Sequence, residues 1–369
     1  MISIIGAGPV GSYLAYLLAS QGREVHVYEE HSEIGLPVHC TGIVTSKFAD
    51  IIEPDDSFVV NTIDKVRLFS PNNSFVELKL GKNYVLDRAK LDQKLAKGAE
   101  RADAEFHLSH RFVDFKEGKL IVEHDGKLHS KKTDVLVGAD GPLSPVAKSA
   151  GMFNNRRFFQ GIQARARLEN DNAVEFFLRP GGFSWIVPES KNIARVGSLD
   201  WENPNPPFER LLESRLGPGY KDSVIEYQGG MIPLHNPKVQ TAKDSIFLVG
   251  DAATMVKPTT GGGIVQGLLG AEALADALIN RRDYRELWRA KIGRELKTAL
   301  FLRRILDGFT DKDYNLLIKG MGTKGMREAL ETYDRDSLSG LLPRLAAEAL
   351  KQPRFIFLAR HLLKRNLYI

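Results

Sequence analysis

The chain has 369 residues, 43% of them apolar and 26% charged, and this balance predicts a folded globular protein of two or three domains rather than a disordered one. Its single cysteine excludes an intramolecular disulfide and indicates a reducing compartment, while the nine histidines form no HExxH or similar pair, so no metal site is predicted. The formal net charge is +5. Residues 341–369 contain six Lys or Arg and one Glu, so this segment alone has a net charge equal to that of the whole chain. No apolar run reaches the ~18 to 20 residues of a membrane span.

The first predicted element is a βαβ unit that begins at residue 2, which leaves no room for a targeting segment and favours a cytoplasmic protein. In ISIIGAGPVGSYLAYLLASQGREVHVYEE, an apolar strand turns through glycines into an amphipathic helix and returns as an alternating strand. Gly6 permits the tight turn, Gly8 lets backbone amides approach a pyrophosphate, and Gly11 allows close helix packing. Glu29 ends the second strand, where a carboxylate can bind both ribose hydroxyls. This spacing predicts a dinucleotide-binding site.

The loop after this unit contains the only cysteine of the chain. Residues 35–46 read GLPVHCTGIVTS, a composition of glycine, proline and small polar residues that is typical of a loop. A lone cysteine usually fills a gap in an apolar core, and a loop offers no such gap. Because loops at the carboxyl end of a parallel sheet surround the ligand, we expect Cys40 to lie beside a bound ligand. An inert small residue is the alternative interpretation of Cys40.

Three later segments predict further strand and helix units. YVLDRAKLDQKL indicates a helix with Arg88 near its N-terminus, and TDVLVGADGPLSPVAKSAG indicates a strand that ends at Asp140, followed by a helix. DSIFLVGDAATMVKPTTGGGIVQGLL indicates a strand, then Asp251, then a long helix. That helix is opened by three glycines, Gly261, Gly262 and Gly263. Together these units predict a layered α/β sheet.

The pattern changes between about 156 and 235. Alternating strands such as FQGIQARARL and AVEFFLRP, punctuated by Pro and Gly, predict an antiparallel sheet inserted into the first domain. From residue 283 onward the pattern is helical. We therefore predict a Rossmann-like dinucleotide-binding domain, an antiparallel-sheet substrate domain and a C-terminal helical region. Their predicted bounds are 1–60, 81–155 and 236–282 for the first, 61–80 and 156–235 for the second, and 283–369 for the third.

Taken together, these elements resemble the flavoprotein family typified by p-hydroxybenzoate hydroxylase, over roughly residues 1–280. The resemblance implies that the Rossmann-like domain binds FAD, with the adenosine half held by the first glycine motif and Glu29. It further implies that Arg88 approaches the pyrophosphate, that Asp140 belongs to the middle GADG motif, and that Asp251 binds the ribityl chain. The three-glycine run would present its amides to the flavin.

Two segments are also similar to motifs of the geranylgeranyl reductase family, of the digeranylgeranylglycerophospholipid reductase type. GLPVHCTGIVT resembles their P-x-x-C-x-G loop, and GGFSWIVPESKNIARVG resembles their aromatic-x-Trp-x-x-Pro motif. The resemblance implies an FAD-dependent reductase that saturates the C=C bonds of geranylgeranyl chains in a lipid, by hydride transfer from flavin N5 coupled to protonation of the alkene. Cys40 and Trp185 would be its catalytic residues. The substrate pocket would be lined by Phe183, Trp185, Pro188 and Pro258.

The sequence leaves other functions open. An FAD-dependent monooxygenase of an apolar substrate would use the same scaffold and consume oxygen, whereas an electron-carrying flavoprotein would turn over no alkene. Phe183 and Trp185 alternate with Ser184 along a strand, so they would equally pack in a core. With no second GxGxxG for a nicotinamide, electrons are expected from a transient donor, either NAD(P)H, ferredoxin or a deazaflavin. No nucleic acid partner is expected.

The C-terminal segment 353–369 is predicted to be an amphipathic helix with a basic face. Its apolar positions recur with helical spacing, and they are Phe355, Leu358, Ala359, Leu362 and Leu363. This face would pack on the protein body or lie on a membrane surface, where each basic residue adds ~1 kcal/mol near anionic lipid. The second interpretation predicts a peripheral protein on the inner membrane face.

Overall fold

The computed structural model of the protein describes residues 1–332 and 337–352 together with Leu358 and His361. Apart from these last two residues, the helix predicted over 353–369 lies outside the described part of the chain. None of the helices described here combines the length and the apolar composition that crossing a membrane requires.

The described residues form seventeen strands in three sheets. In chain order the strands are β1 (Ile2–Ile5), β2 (Val25–Tyr28), β3 (Ile43–Thr45), β4 (Val59–Phe69), β5 (Phe75–Leu86), β6 (Glu105–His107), β7 (Arg111–Lys116), β8 (Lys119–His124), β9 (Lys127–Lys132), β10 (Val135–Gly138), β11 (Phe158–Arg167), β12 (Ala173–Arg179), β13 (Gly182–Ser190), β14 (Ile193–Asp200), β15 (Val224–Pro233), β16 (Ala242–Lys243) and β17 (Ile246–Leu248).

Ten α-helices are present in the described residues, six of them after the last strand. They are α1 (Pro9–Ala19), α2 (Arg88–Glu100), α3 (Pro145–Ser149), α4 (Asn205–Leu216), α5 (Ile264–Asn280), α6 (Tyr284–Trp288), α7 (Arg294–Leu306), α8 (Asp311–Met321), α9 (Lys324–Thr332) and α10 (Leu338–Leu350). A π-helical segment, Arg289–Gly293, connects α6 to α7.

The first sheet has six strands in the order β16-β17-β10-β1-β2-β6, parallel throughout except for the edge strand β16. Helices α1 and α5 pack against each other and contribute Leu14, Leu18 and Leu268, all fully buried, to the same core as β1 and β10. The parallel strands end at a common edge, so the loops after β1, β2, β10 and β17 meet there, as ligand-binding loops do in such sheets. This confirms the predicted Rossmann-like α/β architecture.

The second sheet has eight strands in the order β15-β11-β14-β13-β12-β4-β5-β3, antiparallel except where β12 pairs with β4. Phe208 and Leu212 of α4 pack on one face, and Ile318 of α8 packs on the other together with Phe159. The central strand β13 is consequently buried from Gly182 to Pro188. The alternating segments between 156 and 235 thus form the antiparallel sheet that their pattern predicts, and helices follow it.

Two regions differ from the sequence interpretation. Strands β7, β8 and β9 form a separate antiparallel meander. It was not predicted because its strands are short and rich in charged residues, and only Phe112, Leu120 and Val122 are buried along it. Strand β3 and residues 81–86 of β5 lie in the second sheet, although the predicted bounds give them to the first domain. The domain boundaries themselves stay a prediction.

Candidate functional site

The glycine turn between β1 and α1 leaves room for a ligand at the N-terminus of α1. Gly6 has φ +100°, and a Cβ there would overlap the carbonyl oxygen of Ala139, so only glycine fits. A Cβ on Gly11 would overlap the carbonyl oxygen of Gly6. A Cβ on Gly8, by contrast, would meet open space, and Gly8 has no side chain that could cap α1. The N-terminal amides and positive dipole end of α1 therefore face a space that could hold an anion such as a pyrophosphate.

Glu29 follows β2 and lies beside this turn. Its Oε2 accepts a hydrogen bond from the backbone N–H of Ala7 at 2.8 Å, which aims the carboxylate at the start of α1. Its Oε1 accepts from the backbone N–H of His31 at 3.1 Å and contacts the His31 ring at 2.6 Å. The Glu29 side chain is only 13% exposed but that of His31 is 47% exposed, so the imidazole can turn away and leave acceptor positions for ribose hydroxyls.

Asp140 stabilises the turn after β10. Its carboxylate accepts hydrogen bonds from Ser144 Oγ at 2.6 Å and from the backbone N–H of Val146 at 2.9 Å, which caps the short helix α3. Burial raises the pKa of Asp140 to about 6, although these hydrogen bonds act to lower it. Both oxygens are thus engaged inside the turn, and a direct cofactor contact of Asp140 stays a prediction.

Arg88 lies near two other predicted site residues, Cys40 and Asp251. It begins α2 and forms a bidentate ion pair with Asp92, with both N···O distances 3.1 Å. Burial would lower the pKa of Arg88, but the charge of Asp92 and the sulfur of Cys40, which lies within hydrogen-bonding reach, raise it above its ordinary value. Burial also raises the pKa of Asp251 to about 6, an effect that the charge of Arg88 opposes. Cys40, Arg88 and Asp251 are therefore electrostatic neighbours, although they are far apart in sequence.

The loop that carries Cys40 is held against the second sheet. The sulfur accepts a hydrogen bond from the backbone N–H of Gly42 at 3.3 Å. Arg195 of β14 is 8% exposed and donates to the carbonyl oxygen of Thr41 at 2.6 Å and to that of Leu86 at 2.9 Å. A Cβ on Gly42 would overlap this guanidinium, so the loop fits against Arg195 only with glycine there. These contacts fix the position of the Cys40 loop relative to the second sheet.

Glu189 orients Arg195 in turn. It contacts the Arg195 guanidinium at 3.3 Å and pairs with Arg165 at 2.6 Å. Burial would raise the pKa of Glu189, but the hydrogen bonds of Arg165 and the charge of Arg195 hold the pKa below its ordinary value. The carboxylate is thus ionised at neutral pH and fixes the guanidinium that clamps the loop.

We expect Arg195→Met to release the Cys40 loop. The change removes the donors to two backbone carbonyls and one half of a buried ion pair, so the free energy of unfolding should fall by about 3 kcal/mol. This value is near the lower end of the range for such pairs, because Glu189 remains paired with Arg165. Urea denaturation measures this loss. Because Cys40 is the only cysteine, the rate at which a thiol reagent labels the native protein reports on the loop alone, and this rate should rise.

Arg165→Met is the matched control for this test. It removes the other partner of Glu189, but Arg165 is a more exposed residue whose pairing depends less on burial, with a side chain 35% exposed. It should lower stability less than Arg195→Met and leave the labelling rate of Cys40 unchanged. Equal labelling rates in the two variants would show that Arg195 does not hold the loop.

The glycine loop before α5 faces both the first and the second sheet. The amide of Gly261 donates to the carbonyl of Lys257 at 2.9 Å, and that of Gly262 donates to Thr260 Oγ1 at 3.3 Å. Gly263 lies beside Asp251, because a Cβ on Gly263 would come within 2.8 Å of the Asp251 carboxylate. Of the three predicted glycines, Gly263 therefore combines proximity to Asp251 with a position at the N-terminus of α5.

The aromatic motif lies in the core of the second sheet. Trp185 and Phe183 are 7% and 8% exposed, and they share one apolar cluster with Phe159 and Leu199. This cluster reaches the glycine loop, since a Cβ on Gly261 would contact Leu199 at 3.7 Å. The two rings thus pack in an apolar layer directly behind the loop.

Pro188 and Pro258, the other two residues predicted to line the pocket, are both buried. The carbonyl of Pro188 accepts a hydrogen bond from the Asn61 side chain at 3.0 Å, on the part of β13 that is distant in sequence from the aromatic pair. The role of these prolines in a substrate pocket stays a prediction.

Several residues of this region could not be singled out from the sequence. Arg195 and Gln163, which accepts a hydrogen bond from Thr41 Oγ1 at 2.9 Å, lie in ordinary alternating strands. Gln266 is 3% exposed in the first turn of α5, and its side-chain oxygen has no hydrogen-bond partner among the residues that the structure describes. A polar residue at a buried position of its helix is the only signal that could have found Gln266.

The arrangement fits a dinucleotide cofactor on several independent observations. There is open space at Gly8, a carboxylate aimed at that space from Glu29 and a buried acidic group at Asp251. The buried side-chain oxygen of Gln266 also lacks a partner within the described part of the chain. The adenosine end would lie between Gly8 and Glu29, and the other end would lie toward Asp251 and Gly263. Cys40 would then lie at that second end, beside Arg88.

Two family models match parts of the chain. The model of NAD(P)-binding Rossmann-like domains matches residues 4–46, and the model of lycopene cyclase proteins matches residues 212–317. The first match covers the glycine turn, Glu29 and Cys40, and the second covers Asp251 and the glycine loop. Both therefore include residues of the site described above.

Curated relatives align with most of the chain. A digeranylgeranylglycerophospholipid reductase from Methanocaldococcus jannaschii is 30% identical over 353 residues, which are 87% of this chain and 90% of the relative. Another from Methanothrix thermoacetophila is 28% identical over 405 residues and covers 98% of both chains. The crystal structure of a geranylgeranyl bacteriochlorophyll reductase-like protein from Thermoplasma acidophilum has a TM-score of 0.84 at 22% identity, with 98% of each chain covered. This last likeness shows a shared fold.

Proposed function

Because the chain belongs to the digeranylgeranylglycerophospholipid reductase family, we propose that it binds FAD and saturates the double bonds of geranylgeranyl chains in a glycerophospholipid. The protein is then an oxidoreductase that acts on CH–CH groups. The observation that carries the proposal is the position of Cys40, which neighbours Arg88 and is clamped by Arg195 at the ligand-binding edge of a Rossmann-like sheet.

The residues present fit FAD. Glu29 would accept from the ribose hydroxyls, and the turn at Gly8 with the N-terminus of α1 would bind the pyrophosphate. Arg88 would add positive charge near the phosphates, and Asp251 would accept from the ribityl hydroxyls. The amide of Gly263 and the N-terminus of α5 would favour negative charge on the flavin, an effect of ~2.7 to 4 kcal/mol for one well-placed donor.

The chemistry of an isolated alkene determines what the protein must add. When bound and reduced, FAD supplies a hydride. An isoprenoid double bond has no carbonyl to accept negative charge, so a proton must arrive together with the hydride or before it. A thiol is far too weak an acid to protonate an isolated alkene alone, so Cys40 would act in concert with hydride delivery as a proton relay, or as a wall that shapes the pocket.

The aromatic layer behind the glycine loop is the proposed place for the lipid chain. Protonation gives the alkene the character of a tertiary cation, which the faces of Trp185 and Phe183 would stabilise by ~0.5 to 2 kcal/mol each. Both rings are buried in the same cluster as Leu199, next to Gly261. The proposal therefore requires the lipid to enter between the glycine loop and this cluster.

The source of electrons and of substrate is part of the proposal. A transient donor, either NAD(P)H, ferredoxin or a deazaflavin, would reduce the bound flavin. A peripheral contact with the membrane through residues 353–369 would bring the enzyme to its lipid.

Mass spectrometry of the lipid tests the proposed reaction. Digeranylgeranylglycerophospholipid incubated with chemically reduced protein should gain two hydrogen atoms for each double bond, and the same incubation with oxidised protein should give no product. Lipid that gains one oxygen atom in place of hydrogen, together with substrate-dependent oxygen uptake, would replace the proposal by a monooxygenase. Unchanged lipid with no oxygen uptake, from protein that retains its flavin, would indicate an electron carrier instead.

A further inference from the structure

A cluster of histidine and glutamate side chains lies on one face of the first sheet, at its β2–β6 edge. Strands β2 and β6 are parallel, and His26 stands directly opposite Glu105 in their register. Since side chains alternate along a strand, His107 shares the face of Glu105, and Glu24 precedes His26 on that face. The sequence predicted no metal site because these residues come from segments about 80 positions apart and form no local motif.

The three nearest ligand atoms have the spacing of a metal site. His26 Nδ1 lies 3.1 Å from His107 Nε2 and 3.4 Å from Glu105 Oε2, and His107 Nε2 lies 3.9 Å from Glu105 Oε2. Bonds of ~2.0 to 2.2 Å from a tetrahedral ion to nitrogen and oxygen place two ligand atoms about 3.4 Å apart. One ion can therefore reach all three atoms with little movement of the side chains.

The surroundings also suit a cation. Glu24 Oε1 lies 3.5 Å from His26 Nε2, which favours a proton on Nε2 and leaves the lone pair on Nδ1 for a metal. The rings are 16% and 28% exposed for His26 and His107, and Glu105 is 67% exposed, so an ion can enter from solvent.

We propose that His26, Glu105 and His107 form a binding site for a divalent transition-metal ion, with Zn²⁺ the ion that two imidazoles and one carboxylate suit best. Water takes the fourth position. The ion neutralises the Glu105 carboxylate and ties the edge strand β6 to β2. The competing arrangement is a direct hydrogen bond between the two rings, whose nitrogens lie 3.1 Å apart.

The site is connected to the candidate cofactor site through the backbone. The carbonyl oxygen of His107 accepts a hydrogen bond from the backbone N–H of Glu29 at 3.0 Å. An ion that holds His107 against His26 therefore also fixes the chain on either side of Glu29. Because the ion binds the folded state alone, it should raise the thermal stability of the protein as its concentration increases.

Calorimetric titration of untagged, chelator-treated full-length protein with ZnCl₂ tests the site. Wild-type protein should bind one equivalent, and His26→Gln or His107→Gln should weaken the affinity by about 100-fold or more, since even outer-shell partners of metal ligands contribute 10- to 100-fold. Glu105→Gln, at an exposed position, gives a third variant should a histidine variant fold poorly. With CoCl₂ as the probe, wild-type protein should show the visible absorption of a tetrahedral cobalt site, and the variants should not.

His129→Gln is the matched control, because His129 lies on the exposed strand β9, away from the three ligand atoms. It should bind zinc as the wild type does. Wild-type protein that binds less than one equivalent, or His26→Gln and His107→Gln variants that bind normally, would overturn the proposal in favour of the direct hydrogen bond. Loss of zinc in Cys40→Ser with retention in His26→Gln would place the ion elsewhere and would equally overturn it. None of these outcomes depends on the proposed reductase activity.

Discussion

Replacing Glu29 by arginine is expected to leave the purified protein nearly free of flavin. The change removes a carboxylate that would accept two ribose hydrogen bonds, each worth about 1.5 to 3 kcal/mol when one partner is charged, and it puts a cation beside Ala7, at the positive end of α1. FAD affinity should therefore fall by at least about 100-fold. The ratio of visible flavin absorbance to protein absorbance measures the loss. The flavin content of Glu29→Gln should lie between those of the wild type and of Glu29→Arg.

Glu30→Arg is the matched control for this prediction. It makes the same change of charge one residue further along, at an exposed position, and it should keep the flavin content of the wild type. Far-UV circular dichroism of the Glu29 variants shows whether the fold is retained. Full flavin occupancy in folded Glu29→Arg would mean that Glu29 does not bind the ribose.

Cys40→Ala should reduce the rate of alkene reduction by about 100-fold or more if the thiol relays a proton, the usual contribution of a positioned acid or base. The fold and the flavin should be retained, because the backbone carbonyl of Thr41, rather than the thiol, holds the loop to Arg195. Single-turnover oxidation of pre-reduced protein by the lipid measures the rate. Cys40→Ser keeps a proton-bearing group of similar size and should recover part of the wild-type rate.

A different result is expected from the same variants if Cys40 is a wall that shapes the substrate pocket. In that case Cys40→Ala should change which double bonds are saturated and leave the rate per bond nearly intact, as mass spectrometry of the products would show. Wild-type rates together with wild-type products would rule out both roles and leave Cys40 as an inert residue that packs against Arg88.

The local parts of this protein follow from its sequence. The turn at Gly6, the helix α1 and the strand that leads to Glu29 were predicted because their signals, apolar periodicity and glycine at fixed spacing, act over a few residues. The start of α2 at Arg88 and the antiparallel character of the second sheet were predictable for the same reason. The meander β7–β9 escaped prediction because its apolar alternation is weak.

The meeting of these parts was decided by the tertiary structure. Arg195 and Thr41 are 154 positions apart, and their contact depends on how β14 lies beside the Cys40 loop, which no local pattern encodes. The neighbourhood of Cys40, Arg88 and Asp251 depends likewise on two loops and the start of α2, which meet only after the strands have paired. The sequence by itself thus determined which chemistry each segment carries, whereas strand register and packing decided which side chains touch, because a shift of one residue turns a side chain to the opposite face of its sheet.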